Sequence, residues 1–401
     1  MIHGVRFRNY KALRHVDLAL ERFTVLTGPN ASGKTAVLEG IHHLTRLAVT
    51  DPRHVFKGAT DVGVISSRGA EGAFELGLNG SFRSKKGSLT LRFDAIEDYP
   101  FTDTYTLETQ LGERRTSLQR AIHRPDDDGD PFPEPGELPL SLVLREAAFL
   151  ELDRRRLAEA AYSDLPTPIV GADGEGLAAV AADMAVSRPD DFLRLQDALR
   201  VVIPGLLRVR LVRAKVQRKD AAPALEEDLL GRSEPNERVT WGHEIVLDMK
   251  GAADIPARAA SEGTLLMLGL FAALIGPERH QLVLVDHLEH AVSPRVMAAF
   301  VTQINEILAL DPKLQIVATT DSTELLDQMP AEQIRVHAVL QDGSVLIAGL
   351  HEHPGYEALK SERLPGAFYR EMGEDWVMEA RKHATPPPPP RNAPIPSKRF
   401  R

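Results

Sequence analysis

The sequence predicts an α/β fold with a largely parallel sheet at its core. Gln281-Leu-Val-Leu-Val-Asp286 and Leu314-Gln-Ile-Val-Ala-Thr-Thr320 are apolar runs ending in polar residues, the pattern of strands buried on both faces. Phe23 to Thr27 is a third short β-rich run, and it leads through a glycine turn straight into a helical pattern. Composition agrees with a packed chain of two or three domains, since 43% of the 401 residues are apolar. With 48 basic against 57 acidic residues the net charge is −9, which excludes a wholly basic nucleic-acid coat but leaves room for a local patch. The absence of cysteine excludes disulfide scaffolds, thiol nucleophiles and thiolate metal sites. The start lacks an apolar signal core, and the longest apolar run, Leu265 to Ile275, is far short of a membrane span. A soluble, cytoplasmic protein with no membrane partner is expected.

Taken in order, Ile2 to Phe7, Leu13 to Leu20 and Phe23 to Thr27 read as strands. Lys34 to Ala48 reads as a helix with Val37, Leu38, Ile41, Leu44 and Leu47 on one face. Val62 to Leu107 is strand-like. Arg124 to Leu140 holds six acids and five prolines in 17 residues, so it reads as an exposed loop. Ser141 to Val202 reads as mostly helical, with a clear amphipathic stretch at Asp190 to Val202. Leu206 to Val216 is a basic strand and His243 to Met249 an alternating one. Ser261 opens a helix that runs through Ile275. Five consecutive prolines, Pro386 to Pro390, and the basic residues after them predict an extended tail. The resulting division is an N-terminal lobe (1–123), the acidic loop (124–140), a mostly helical insert (141–235), a C-terminal lobe (236–350) and a C-terminal segment (351–401).

The chemistry concentrates at Gly28-Pro-Asn-Ala-Ser-Gly-Lys-Thr35, which fits GxxxxGK[ST] between a strand and a helix. This is the phosphate-binding loop of P-loop NTPases. Its backbone at Asn30, Ala31, Ser32 and Gly33 can curl around a phosphate, aided by the positive end of the helix. Lys34 can bridge the β- and γ-phosphates, and the Thr35 hydroxyl can ligate Mg²⁺. A second acid on the Mg²⁺ side is needed at the end of a buried strand, and Asp286 is placed for it. ATP and Mg²⁺ are therefore the expected cofactors.

With these motifs in order, the chain resembles the ABC-type ATPase heads of the RecF, SMC and OLD-nuclease group, the small prokaryotic AAA family ATPases. The resemblance covers residues 1 to about 350. It rests on Phe7-Arg-Asn-Tyr-Lys-Ala followed by the P-loop, on Ser261-Glu-Gly-Thr264 as the signature motif, and on Asp286-His-Leu-Glu-His-Ala-Val-Ser-Pro294 and Ala318-Thr-Thr-Asp-Ser-Thr-Glu-Leu-Leu326. It implies an ABC-ATPase-like head with a mixed, mainly parallel core sheet, an antiparallel β-lobe and a helical insert. It also implies that two heads dimerise around two ATP molecules, with Ser261 and Gly263 reaching the partner's nucleotide, and that Lys11 touches nucleotide phosphate. Stand-alone heads of this kind serve DNA repair or antiviral defence with a separate effector, such as a TOPRIM-like nuclease or a toxin.

Two residues depart from the family at the hydrolytic centre. His287 stands where a water-positioning glutamate is usual, and Asp321 stands where a histidine is usual. Three readings follow: a degenerate site that hydrolyses ATP slowly or not at all, an exchange in which Asp321 supplies the carboxylate and His287 the imidazole, or substitution by Glu289. General-base work needs a group within reach, not a fixed chain position. His287, Glu289 and His290 also admit a metal reading, since two histidines and a carboxylate make a facial ligand set. Polar residues after a strand more often serve a nucleotide site, and Mg²⁺ is the ion expected. A non-hydrolysing scaffold whose partner carries the chemistry is the rival function. DNA contact would need a local patch such as Arg208, Arg210, Arg213 and Lys215, or the basic tail.

Overall fold

Strand β3 (Phe23–Thr27) buries every residue because it lies inside a six-stranded sheet. The structure, a computed structural model, describes residues 1–56, 61–69, 72–94, 104–121, 138–144, 147–219 and 237–382. Residues 124–137 of the acidic loop and the tail from 385 lie outside the described residues.

The core sheet has the order β15-β14-β3-β13-β12-β8, built from β8 (Ala147–Leu150), β12 (Leu282–Val285), β13 (Gln315–Thr319), β14 (Ile334–Val339) and β15 (Val345–Gly349) with β3. Every pairing is parallel except β14 with β15. The two apolar runs of the sequence are β12 and β13, side by side and fully buried. A second sheet, order β2-β1-β4-β5-β6-β7, forms an antiparallel lobe from β1 (Ile2–Tyr10), β2 (Leu13–Ala19), β4 (Phe74–Phe82), β5 (Lys85–Phe93), β6 (Thr104–Leu111) and β7 (Arg114–Ala121). Gln315 ties the two together, donating to and accepting from the backbone of Ile2 at 2.8 and 2.9 Å. A third, three-stranded sheet pairs β9 (Leu206–Lys219), β10 (Glu237–Met249) and β11 (Ala252–Pro256).

Two cores result. One lies between the P-loop helix, Lys34–Leu47, and the antiparallel lobe, and it includes the five apolar helix positions read from the sequence. Gly40 is required there, because a Cβ would meet Phe7 Cε1 at 2.4 Å. The other surrounds helix Glu262–Ile275, whose residues from Leu265 to Ile275 are all buried. An all-round apolar helix is stable in water only when enclosed, and helices Leu177–Ser187 and Pro189–Val202 help to enclose it.

The structure corrects the sequence reading at two places. Val62–Ile65 is a helical turn, not strand, because the Asp61 carboxylate accepts from Gly63 N–H at 2.9 Å and starts it. The stretch from Ser141 contributes β8 to the core sheet, where helix was expected. Four residues are too few to show a periodicity. Trp376 is buried on its own head, its Nε1–H donating to the Gly373 carbonyl at 3.1 Å and His353 packing against it edge-on.

Burial also holds four histidines neutral. His42, His43, His280 and His337 are pushed down to about 4 by desolvation. In the unfolded chain each titrates near 6.5. Between the two values the unfolded chain binds protons that the fold refuses, so stability is complete above about pH 6.5 and falls toward pH 4. Each group contributes at most about 1.4 kcal/mol per pH unit. Urea unfolding at pH 5 is therefore expected to give a free energy several kcal/mol below that at pH 7.5, and a flat profile would contradict the burial of these rings.

Candidate functional site

The site lies at the carboxyl ends of β3, β12 and β13, where parallel sheets bind ligands. After β3 the chain makes the loop from Gly28 and enters the helix at Lys34 from Gly33, which is left-handed with φ 77°. Gly28 is needed for close approach: a Cβ there would stand 2.7 Å from the His337 carbonyl and 2.8 Å from its Cβ. His337, on β14, is buried beneath the loop and bonds the Ser32 carbonyl through Nδ1 at 2.9 Å. A carbonyl only accepts, so Nδ1 carries the proton and Nε2 is left buried without a partner.

Lys34 is 7% exposed, and its ammonium is held by the Gly28 carbonyl at 2.7 Å, the Pro29 carbonyl at 3.1 Å and the Asp321 carboxylate at 3.0 Å. Thr35 donates to Asp286 Oδ2 at 2.9 Å. The opposite oxygen of Asp286 accepts from Thr319 Oγ1, which in turn accepts from His287 N–H at 2.8 Å. Thr319 can do this because β12 and β13 run in register, Val285 beside Ala318, so the next residues on each strand meet.

These residues fit a magnesium nucleotide. Thr35 Oγ1 and Asp286 Oδ2, hydrogen-bonded at 2.9 Å, are oxygen donors of the kind Mg²⁺ takes and would hold it there. Lys34 stands where a phosphate would replace Asp321 as its partner, and the buried Ser32 hydroxyl has no partner in the loop. Bound there, Mg²⁺ would screen phosphate charge.

The remaining predicted residues are more dispersed. Asn30 and Ala31 lie in the loop turn, Ala31 left-handed with φ 62°. Lys11 forms an ion pair with Glu39 on the P-loop helix, and its backbone N–H donates to Ile65 at 2.7 Å. Ser261 caps its helix, accepting from Thr264 N–H at 3.3 Å, and is exposed. Glu262, next to Ser261 and Gly263, shares a cleft of about 300 Å³ with Asp286, His287 and His290. Glu289 lies against His287, Oε1 to Nδ1 3.5 Å. On the basic strand, Arg208 and Arg210 bond Asp248 at 2.6 and 3.0 Å, which holds that carboxyl far below its usual range. Arg213 and Lys215 instead lie over the exposed Trp241 ring, 5.1 and 6.0 Å from its centre.

A family model described as "AAA domain, putative AbiEii toxin, Type IV TA system" matches residues 23–327. The chain belongs to this AAA-domain family. As an ABC/AAA-type ATPase head it also matches solved SMC heads in fold. One is an SmcHead bound to the C-winged helix domain of ScpA, at 14% identity and TM-score 0.51, covering 90% of this chain and 99% of that one. Another is an Smc head with an extended coiled coil bound to the C-terminal domain of ScpA derived from Pyrococcus furiosus, at 11% identity and TM-score 0.52, covering 90% and 98%. No curated protein matches the sequence. Among the described residues of this AAA-domain head no helix is long and apolar enough to cross a membrane.

Sequence reasoning missed Thr319 and His337. A threonine closing a buried apolar run was the available signal for the first, and the stretch around His337, Ile-Arg-Val-His-Ala-Val, offered none.

Proposed function

We propose that the protein is an ATP-binding, ATP-hydrolysing head that closes into a dimer around nucleotide and signals to a separate effector, a nuclease or toxin, in prokaryotic defence or DNA repair. The observation that carries the hydrolytic part is the contact of Asp321 with Lys34 at 3.0 Å. It puts a carboxylate on the side of the lysine that would hold a terminal phosphate, where a water-orienting group is needed. His287 would supply the imidazole of the exchanged pair.

The dimeric part is supported by the signature residues. Ser261 is exposed, and its helix N-terminus suits a phosphate carried by a second copy. The family description names a toxin system, and the SMC heads similar in fold are bound to ScpA domains, which supports work through a partner. On the basic strand any DNA contact would fall to Arg213 and Lys215, because Asp248 engages Arg208 and Arg210, while the basic tail, the other candidate, lies outside the described residues.

The test is light scattering of the purified protein with Mg²⁺ and ATP, ADP or a non-hydrolysable ATP analogue. A dimer is expected with ATP or the analogue and a monomer with ADP. Ser261→Arg should keep nucleotide binding and stay monomeric. A wild type that binds ATP yet stays monomeric throughout would sink the clamp. The rival scaffold reading is favoured by the 41% exposed His287 ring, which faces Glu289 and His290. An ATP-held dimer without turnover would select it.

A further inference from the structure

The turn after β12 gathers three metal-ligating side chains, and an ion held there would engage the His287 imidazole that the exchanged pair would otherwise use. His287 leaves the strand with a left-handed backbone, φ 53°, and the 3-10 turn Leu288–Ala291 folds the chain back. The His287 and His290 rings therefore lie face to face, 4.8 Å between centroids and 7° apart in plane. Glu289 joins them, and one ligand atom from each of the three lies within 4.8 Å of the others. Its second carboxylate oxygen, Oε2, is buried and has no hydrogen-bond partner. A buried carboxylate oxygen without a donor is expensive and calls for a cation or a donor.

We propose that His287, Glu289 and His290 bind a divalent first-row transition ion of the zinc class, at a site separate from the magnesium position of Thr35 and Asp286. Two imidazoles and a carboxylate are a donor set such ions accept, whereas magnesium takes oxygen ligands. Ligand atoms on one such ion stand about 3 to 3.5 Å apart, given bonds of about 2.0–2.2 Å. The cluster must therefore contract by about 1.5 Å and its rings must turn from stacking toward a common point. His290 is exposed and His287 is 41% exposed, so both rings have room to turn. The three residues adjoin the cleft that Glu262 and Asp286 line, so an ion here adds positive charge beside the nucleotide pocket. Its binding does not depend on ATP being the ligand of the P-loop.

The experiment uses tag-free, nucleotide-free protein, titrated with Zn²⁺ by calorimetry and with Co²⁺ by visible absorption. One ion per chain is expected from both, with the intense bands of a low-coordinate cobalt site. Loss of an outer partner already weakens metal sites about 10–100-fold, so His290→Ala should weaken Zn²⁺ binding at least tenfold while keeping the wild-type melting temperature. Glu289→Gln, which preserves shape, should do the same. Lys34→Ala should bind the ion as wild type does, which separates this site from the fate of the nucleotide reading. No saturable binding in wild type, or equal affinity in His290→Ala, overturns the proposal.

Discussion

Replacing Lys34 with alanine is expected to remove ATP binding. The ammonium is nearly enclosed and its partners are two carbonyls and a carboxylate, so its position is fixed before any ligand arrives. A phosphate that takes the place of Asp321 would gain charge-assisted hydrogen bonds, each worth about 1.5–3 kcal/mol. Two such bonds correspond to a loss of about 10²–10⁴ in affinity. The fold should survive, because Pro29 and Asp321 are partly exposed and can turn to water, which leaves the buried Gly28 carbonyl as the one group that loses its donor. Fluorescent-nucleotide titration with a parallel melting curve checks both halves. Binding within a factor of three of wild type would remove the P-loop from the account.

Asp321→Ala is expected to change binding and turnover in opposite directions. Without nucleotide, Asp321 competes with phosphate for Lys34, and it is 42% exposed. An ion pair at that exposure contributes about 0–1 kcal/mol, so removing it should tighten ATP binding by no more than about fivefold. Turnover should fall by about 10²–10⁴, the usual worth of a positioned proton-accepting group. A merely structural aspartate would not separate the two effects. The double exchange His287→Glu with Asp321→His restores the arrangement usual in related heads and should recover turnover lost in either single variant. Unchanged turnover in Asp321→Ala would exclude the carboxylate exchange. Wild-type turnover no higher than that of Lys34→Ala would leave a nucleotide-held scaffold.

The elements that were legible in the sequence were those with long or strongly patterned signals. The P-loop helix showed five apolar positions on one face, and β12 and β13 were unbroken apolar runs ending in Asp286 and Thr319–Thr320. The pairing of Thr35 with Asp286 followed from the same motifs. What stayed hidden depended on register or on burial. Thr319 reaches Asp286 only because two strands whose paired residues lie 33 apart in sequence align side by side. His337 matters only because β14 passes under the loop, and nothing local in Ile-Arg-Val-His-Ala-Val announces that. β8 was illegible because Ala-Ala-Phe-Leu gains its strand character from pairing with β12.

The order of strands has a consequence for how the protein is made. β3 occupies residues 23–27, while its neighbours β13 and β14 begin at 315 and 334. At about 5–20 residues per second, a ribosome needs roughly 15 to 60 seconds between delivering the strand that carries the P-loop and delivering either flank. The antiparallel lobe can close early, since β4 to β7 are successive hairpins. Throughout that interval Phe-Thr-Val-Leu-Thr exposes two unpaired apolar edges, the kind of segment that associates with other chains. The nascent chain thus carries its nucleotide loop long before it can hold a nucleotide. ATP binding then reports that synthesis has passed residue 339 and that the sheet has closed.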